Sequence, residues 1–322
     1  MANWAIGVDL GGTKIEIGNV DDTGKVIDRV RMPTDVAGGP SAIEEQIHRG
    51  ISKLCEKGYG NPMGVGVGVA AQIDAEQGVI RNAPNLKWKD VPFQENLKIL
   101  TKLPVTITND VRAAALGEWL YGSGKGSTDM ICMFVGTGIG GGIVCNNQML
   151  LGCSNTAGEI GHMIIRGHGL PCHCGSSGCL ESIAGGWAIG KRTQQAIQSD
   201  KAVGAPILKM ADGDLEQVTA KIVVQAFNQG DLLAKHIVEE TLVALVDSCS
   251  GLVNAFNPCR LILGGGVIEG LPSLVEGIET GVRKKALPTA TQKLAFFRAA
   301  LGNDAGVVGA AALAMDYCSP SS

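Results

Sequence analysis

The chain has 322 residues, of which 45% are hydrophobic and 18% charged, and a formal net charge of −4. That length allows two domains. An acidic balance with only 4% aromatic residues leaves no basic footprint for nucleic acid and no stacking platform. The N-terminus lacks a basic n-region, and the apolar stretch from Ala305 to Met315 is too short for a bilayer. A cytoplasmic protein with no membrane partner is expected. The ten cysteines mostly stand singly in apolar settings, such as Cys132, Cys145 and Cys249, where reduced thiols belong.

The run from Trp4 to Leu10 is apolar and β-branched, which predicts a buried strand. It leads through Asp9, Leu10, Gly11, Gly12, Thr13 and Lys14 into a second strand over residues 15–20. No helix follows the glycines, so this is a hairpin and not a Walker loop. Gly11 and Gly12 let backbone N–H groups approach an anion, Thr13 and Lys14 add donors, and Asp9 suits a hydrated Mg²⁺. The alternative is a plain hairpin turn.

Val26 to Met32 alternates as a third strand, and Ser41 to Lys57 has helical spacing, with Ser41 as N-cap and Glu44 completing a capping box. Gly64 to Ala71 predicts a buried strand. Residues 82–88 read as a loop whose Asn82 and Asn85 either face hydroxyls or cap their own turns. Val105 to Thr108 predicts a strand ending at Asn109 and Asp110, and Val111 to Tyr121 a helix. A carboxylate at that junction stands where α/β folds place chemistry, and an Asp there equally serves as N-cap.

Met130 to Val135, the turn Gly136 to Gly142 and Ile143 to Cys145 repeat the strand, glycine turn, strand pattern. Two such hairpins predict a duplicated domain and a nucleotide held between the halves. Between Gly158 and Glu181 the chain concentrates Glu159, Glu181, three histidines and three cysteines. Cys172, Cys174 and Cys179 are spaced C-x-C-x4-C, with Gly175 and Gly178 permitting tight turns. A tetrahedral zinc with one histidine fits that spacing better than a disulfide, which strands one thiol. His162, His168 and His173 are all eligible as the fourth ligand. Four protein ligands close the site, which makes it structural. Glu181 to Ser199 and Leu232 to Phe256 predict helices. Arg260 to Leu263 is a strand running into Gly264, Gly265 and Gly266, Leu294 to Arg298 is a last strand, and Asn303 to Asp316 is a helix of small residues. The short connections near residues 122–127 and 301–303 set the expected domains at 1–121 plus 303–322 and at 122–302.

The segments DLGGTK, TNDVRAAALGEW, VGTGIGGG, GEIGHM, CHCGSSGCLE, LILGGG and LGNDAGVVGAAALA resemble, in this order, the ROK family of sugar kinases and repressors, most of all its bacterial glucokinase branch. The resemblance spans nearly the whole chain and implies an actin-like, hexokinase-like ATPase fold, two α/β domains around a mobile cleft. It implies Asp110 as catalytic base and Asn85, Asn109, Asp110, Glu159, His162 and Glu181 as sugar ligands. His162, Cys172, Cys174 and Cys179 match its zinc ligands. Gly11, Gly12, Thr13 and Lys14, the turn from Gly136, Thr137 and Gly138 to Gly140, and Gly264, Gly265 and Gly266 match its ATP-contacting segments, beside Asp9 as the expected Mg²⁺ residue. The implied reaction is ATP-dependent phosphorylation of a hexose, glucose first, then N-acetylmannosamine, N-acetylglucosamine, allose or fructose. A homodimer or homotetramer is implied as well. Val69-Ala70-Ala71-Gln72 departs from the Pro-Gly pair common in glucokinases, and the segment from Asn85 to Trp88 is shorter than usual. Eight residues precede Asp9, so the DNA-binding segment of the family's repressors is expected to be absent. A glycosidase would use paired carboxylates too, but it leaves the glycine hairpins unexplained.

Overall fold

The computed structural model describes residues 4–166 and 169–318, the side chains of 317 and 318 excepted. In chain order the elements begin with strands β1 (Trp4–Leu10), β2 (Lys14–Asp21) and β3 (Val26–Pro33), helix α1 (Gly39–Cys55) and strand β4 (Val65–Val69). Three short strands follow, β5 (Gln72–Asp74), β6 (Val79–Ala83) and β7 (Trp88–Val91), then α2 (Phe93–Thr101), β8 (Val105–Asn109) and α3 (Asp110–Leu120). The second half opens with β9 (Met130–Val135), β10 (Ile139–Cys145) and the two-residue strand β11 (Gln148–Met149). Helices α4 (Glu181–Ala184), α5 (Gly186–Ser199), α6 (Lys201–Met210), α7 (Ala220–Asn228) and α8 (Leu232–Phe256) lead to β12 (Arg260–Gly264). Then come α9 (Gly266–Gly270), α10 (Ser273–Lys285), α11 (Pro288–Thr291), β13 (Ala295–Arg298) and α12 (Ala305–Cys318).

Contacts divide the chain into two units. The first holds the described residues up to Ser127, Gln148–Gly158 and those from Ala300 onward, and the second holds Thr128–Asn147 and Glu159–Ala299. The sequence expectation put residues 148–158 in the second domain. They join the first because the buried Arg112 donates to Asn155 Oδ1 at 2.6 Å and to the Asn155 and Ala157 carbonyls, while Asn155 Nδ2 reaches the Ile73 carbonyl. Burying a guanidinium requires such partners, and this segment supplies them.

The first unit carries a sheet in the order β3-β2-β1-β4-β8, with β1 antiparallel to β2 and parallel to β4, and β4 parallel to β8. Successive β1 side chains point to opposite faces. Ile6, Val8 and Leu10 enter a core with Ile43 and Ile47 of α1, while Ala5 packs with Val307 and Ala311 of α12. The α12 face is so close that a Cβ on Gly66 would stand 1.7 Å from the Ala310 carbonyl oxygen, and one on Gly309 1.6 Å from that of Ala113. The small residues read from the sequence are what admit this approach.

In the second unit β10, β9, β12 and β13 lie in that order, again an antiparallel hairpin followed by two parallel strands. The duplicated pattern of the sequence is therefore a duplicated topology.

Several local expectations need correction. Helix α1 starts at Gly39 with Gly38 at the N-cap and no side-chain cap, because Pro40 opens the first turn. Ser41 is thereby inside the helix, and Glu44 is buried and accepts from Asn96 Nδ2 at 2.8 Å instead of closing a capping box. Residues 82–88 are not simply a loop: β6 and β7 flank a single 3₁₀ turn at Pro84–Leu86. The helix from Glu181 to Ser199 is two helices, broken where Gly185 is extended (φ −67°, ψ 151°).

Candidate active site

In the first unit, register brings the chemistry to one edge. Leu10 pairs with Val69, and Val69 with Asn109, so β1, β4 and β8 end side by side. Ligands of parallel sheets bind outside such carboxyl ends. The turn after β1 is tight: Gly11 N donates to the Lys14 carbonyl at 3.0 Å, and Thr34 Oγ1 to the Gly11 carbonyl at 2.7 Å. Asn85, in the 3₁₀ turn, lies against it, and a Cβ on Gly12 would be 3.0 Å from the Asn85 carbonyl oxygen.

Lys14 Nζ reaches Glu16 at 3.3 Å, and the buried Glu16 also accepts from Arg29 (3.1 Å) and Arg31 (2.7 Å). Those three cations satisfy one buried carboxylate. Asp9, paired with Glu16 in register, is shifted by burial above the ordinary aspartate range; Lys14 opposes the rise and Glu16 adds to it.

At the end of β8, the N-cap of α3 is Asn109, whose Oδ1 accepts from Val111 N (3.0 Å) and Arg112 N (3.1 Å). The alternative N-cap role for Asp110 therefore does not hold. Asp110 is the first helical residue, half-buried, where the N-terminal end of the helix dipole favours a carboxylate.

In the second unit the turn between β9 and β10 is Gly136-Thr137-Gly138, shorter than the glycine run suggests because Gly140 to Gly142 are in β10. The register sets Gly264 against Phe134, which places the Gly264–Gly266 strand end beside that turn. Gly265 has φ +90°, and a Cβ there would be 2.6 Å from the Val135 carbonyl oxygen.

Glu181, first residue of α4, rests on the same turn: its Oε2 accepts from Ile139 N at 2.9 Å, and its Oε1 from Trp187 Nε1 at 3.2 Å. Glu159 is exposed, precedes the 3₁₀ turn Ile160–His162, and caps nothing with its side chain. A cavity of about 810 Å³ opens beside the turn, walled by Gly136, Thr137, Trp187, Thr219, Lys221 and Gly270 among others.

The cysteine loop gathers four donors. The ligand atoms of His162, Cys172, Cys174 and Cys179 all lie within 4.8 Å of one another. Cys172 Sγ is 3.6 Å from His162 Nδ1, and Cys174 Sγ is 3.7 Å from Cys179 Sγ. A tetrahedral ion with zinc-like bond lengths separates its ligand atoms by about 3.5–3.8 Å.

The loop is shaped by Gly178 (φ +78°), where a Cβ would be 1.7 Å from the Arg166 carbonyl oxygen, and by Cys172 N donating to the Ser176 carbonyl at 2.8 Å. Burial raises the Cys172 thiol and, with its neighbours, pushes Cys179 up to about 12, while a backbone hydrogen bond at Ser176 lowers Cys174. His173 is not in the cluster: its ring packs on Trp187 with centroids 4.4 Å apart. His168 lies outside the described residues.

Sequence reading missed Trp187 and the cavity wall at Thr219, Lys221 and Gly270. A tryptophan in a helix reads as core, and the α5 and α7 segments and the part of α9 beyond Gly266 carry no motif. The available signal was the Gly-Gly pair before Trp187, which seats its backbone on the turn: Gly186 N donates to the Gly136 carbonyl (2.9 Å) and Trp187 N to that of Thr137 (3.0 Å).

Residues 5–317 match the model of the ROK family. The glucokinase of Halalkalibacterium halodurans is 36% identical over 310 residues, covering 95% of this chain and 93% of that one. The xylose repressor of Caldicellulosiruptor bescii is 30% identical over 80% of this chain and 65% of its own length. The crystal structure of a ROK family glucokinase from Streptomyces griseus, in complex with glucose and AMPPNP, superposes with a TM-score of 0.82 at 32% identity, over 98% of this chain and 100% of that one. The mixed α/β architecture is thus the hexokinase-like ATPase fold. Motifs, duplicated topology and near-complete matches agree: the chain belongs to the ROK family.

Proposed function

We propose that the chain transfers the γ-phosphoryl group of ATP to the 6-hydroxyl of glucose. The enzyme class, a sugar kinase, follows from family membership and the glucokinase relatives. The observation that carries the finer reading is Asp110: a half-buried carboxylate in the first turn of α3, at the edge where β1, β4 and β8 end.

Asp110 accepts the hydroxyl proton as the sugar oxygen attacks. Phosphoryl transfer passes through a loose transition state, so the protein's work is positioning and charge stabilisation. The amides of the Gly11–Lys14 turn approach phosphate oxygens, and the Glu16 network holds Lys14 beside them. Gly136, Thr137 and Gly266 border the nucleotide's cavity, and Gly138, Gly264 and Gly265 are their chain neighbours in the β9–β10 turn and at the end of β12. Asp9 suits a hydrated Mg²⁺, which offsets phosphate charge when bound.

Asn85, Asn109, Glu159, His162 and Glu181 take the sugar hydroxyls. Glu181 has one lone pair occupied on each oxygen, which leaves the others for sugar O–H donors. A sugar lacking such a hydroxyl leaves a carboxylate unpaired, which is a source of discrimination.

His162, Cys172, Cys174 and Cys179 fit a structural zinc: three thiols and one imidazole at tetrahedral separations, with no position left for substrate. A bound zinc cross-links the loop that leads into Glu181 and supplies the positive charge that clustered thiolates need.

The test is ADP release with ATP and Mg²⁺ across glucose, mannose, fructose, allose, N-acetylglucosamine and N-acetylmannosamine. Preference for glucose supports the reading, and preference for another hexose moves the substrate while keeping the chemistry. The repressor relative favours a second reading, a sugar sensor without turnover. Tight sugar binding with no ADP release from any hexose would establish that one.

A further inference from the structure

Trp187 is joined to three parts of the second unit at once. Its backbone N–H donates to the Thr137 carbonyl, so the residue is seated on the turn between β9 and β10. Its indole N–H donates to Glu181 Oε1 at 3.2 Å, while Glu181 Oε2 takes the Ile139 amide at 2.9 Å. The carboxylate is thus clamped between a strand and a ring. That ring packs against His173 of the cysteine loop, with centroids 4.4 Å apart and planes inclined by 39°. It also walls the 810 Å³ cavity together with Gly136 and Thr137.

We infer that Trp187 is a positioning residue whose indole links occupancy of this cavity to the orientation of Glu181. The inference rests on the reading of Glu181 as a sugar ligand and of the cavity as the nucleotide's. A half-buried indole has two side-chain torsions to lose, and the hydrogen bond to Glu181 holds only while both are fixed. A purine against the ring's cavity face restricts those torsions before sugar arrives, because a flat π-surface is the complement of a base. Glu181 is then already held for the hydroxyls, and the ordering cost of the second ligand falls. Such coupling is reciprocal: nucleotide raises sugar affinity by the factor by which sugar raises nucleotide affinity.

The test compares the intact protein with its Trp187→Phe variant, which keeps an aromatic ring at the position and removes the indole N–H together with the second, fused ring. Initial rates give KM for glucose and for ATP, and calorimetry gives glucose Kd with and without AMPPNP. The expected result is a glucose KM raised about tenfold, the scale of a lost hydrogen bond to a charged group, with the ATP KM within about twofold. Glucose affinity should rise with AMPPNP in the wild type and not in the variant. An active wild type whose variant keeps its glucose KM and its AMPPNP coupling overturns the inference. So does a variant in which both KM values rise together with loss of bound metal, which marks a merely structural ring. Failure of the wild type itself to release ADP with any hexose overturns the reading beneath, and is seen before the variant is made.

Discussion

The two glycine hairpins are built alike and furnished differently. Each joins the antiparallel pair of a sheet whose next two strands run parallel, β2-β1-β4-β8 in one unit and β10-β9-β12-β13 in the other. Around the first hairpin the side chains are charged: Asp9, and Glu16 with Lys14, Arg29 and Arg31. Around the second stand Glu181, a tryptophan, and a cavity of about 810 Å³. Backbone geometry repeated in this way supplies only amides and close approach. What each hairpin does is decided by the side chains set on it, and the proposed function accordingly assigns phosphates and their metal to the first and a nucleoside and a sugar hydroxyl to the second.

Substitutions that act on one hairpin's surroundings separate these roles. The largest effect is expected at the strand edge of the first unit. Asp110→Asn should lower kcat by at least about 10²-fold, the range of general-base contributions, while calorimetric glucose affinity stays within about threefold; a variant retaining a third of wild-type turnover would remove Asp110 from the mechanism.

On the second unit's side, Cys174→Ser should release one equivalent of zinc by elemental analysis and raise the glucose KM by about tenfold, because ligand-orienting contacts of metal sites carry effects of that order. A zinc-free protein with an unchanged glucose KM would detach the loop from the sugar.

A matched pair of glycine substitutions comes next. At Gly138 a new Cβ meets the end of a flexible side chain, Glu181 Oε2 at 2.5 Å, so Gly138→Ala should raise the glucose KM severalfold with little change in melting temperature. At Gly309 it meets the Ala113 carbonyl at 1.6 Å, so Gly309→Ala should cost about 1–3 kcal/mol of stability in denaturant titration, as overpacking does. Equal losses of stability in both would show that Gly138 serves packing and not the carboxylate.

The smallest effect is at Asp9. Burial raises its folded pKa, so the native state favours the protonated form, and that contribution is lost as pH rises through the folded value. Asp9→Asn should therefore raise the melting temperature at pH 7 while lowering activity. The gain should vanish below the ordinary aspartate pKa of about 3.9, where both states of the wild type are protonated. An unchanged melting temperature at pH 7 would mean that the Lys14 charge fully offsets the burial.

Much of this arrangement was legible in the sequence because the chemistry is carried by local patterns. The hairpins, α3 with Asp110 at its start, α8, the small-residue α12 and the cysteine cluster all follow from spacing within one or two turns. The features that escaped depend on partners distant in sequence. Glu44 reads as a capping-box residue, yet Asn96 is what it meets across the core. Residues 148–158 sit in the chain beside β10 but are claimed by Arg112. Trp187 looks like ordinary helix core until Glu181 and His173 are seen on either side of it. The cavity wall at Thr219 and Lys221 has no motif because α7 contributes shape there.

The most direct test follows the phosphoryl group itself. Wild-type protein is mixed in a single turnover with γ-labelled ATP, Mg²⁺ and glucose, and the labelled product is identified by NMR. The account predicts label on the 6-oxygen of glucose in amounts stoichiometric with ADP. Label found only in inorganic phosphate, or ATP left intact beside bound glucose, would contradict it.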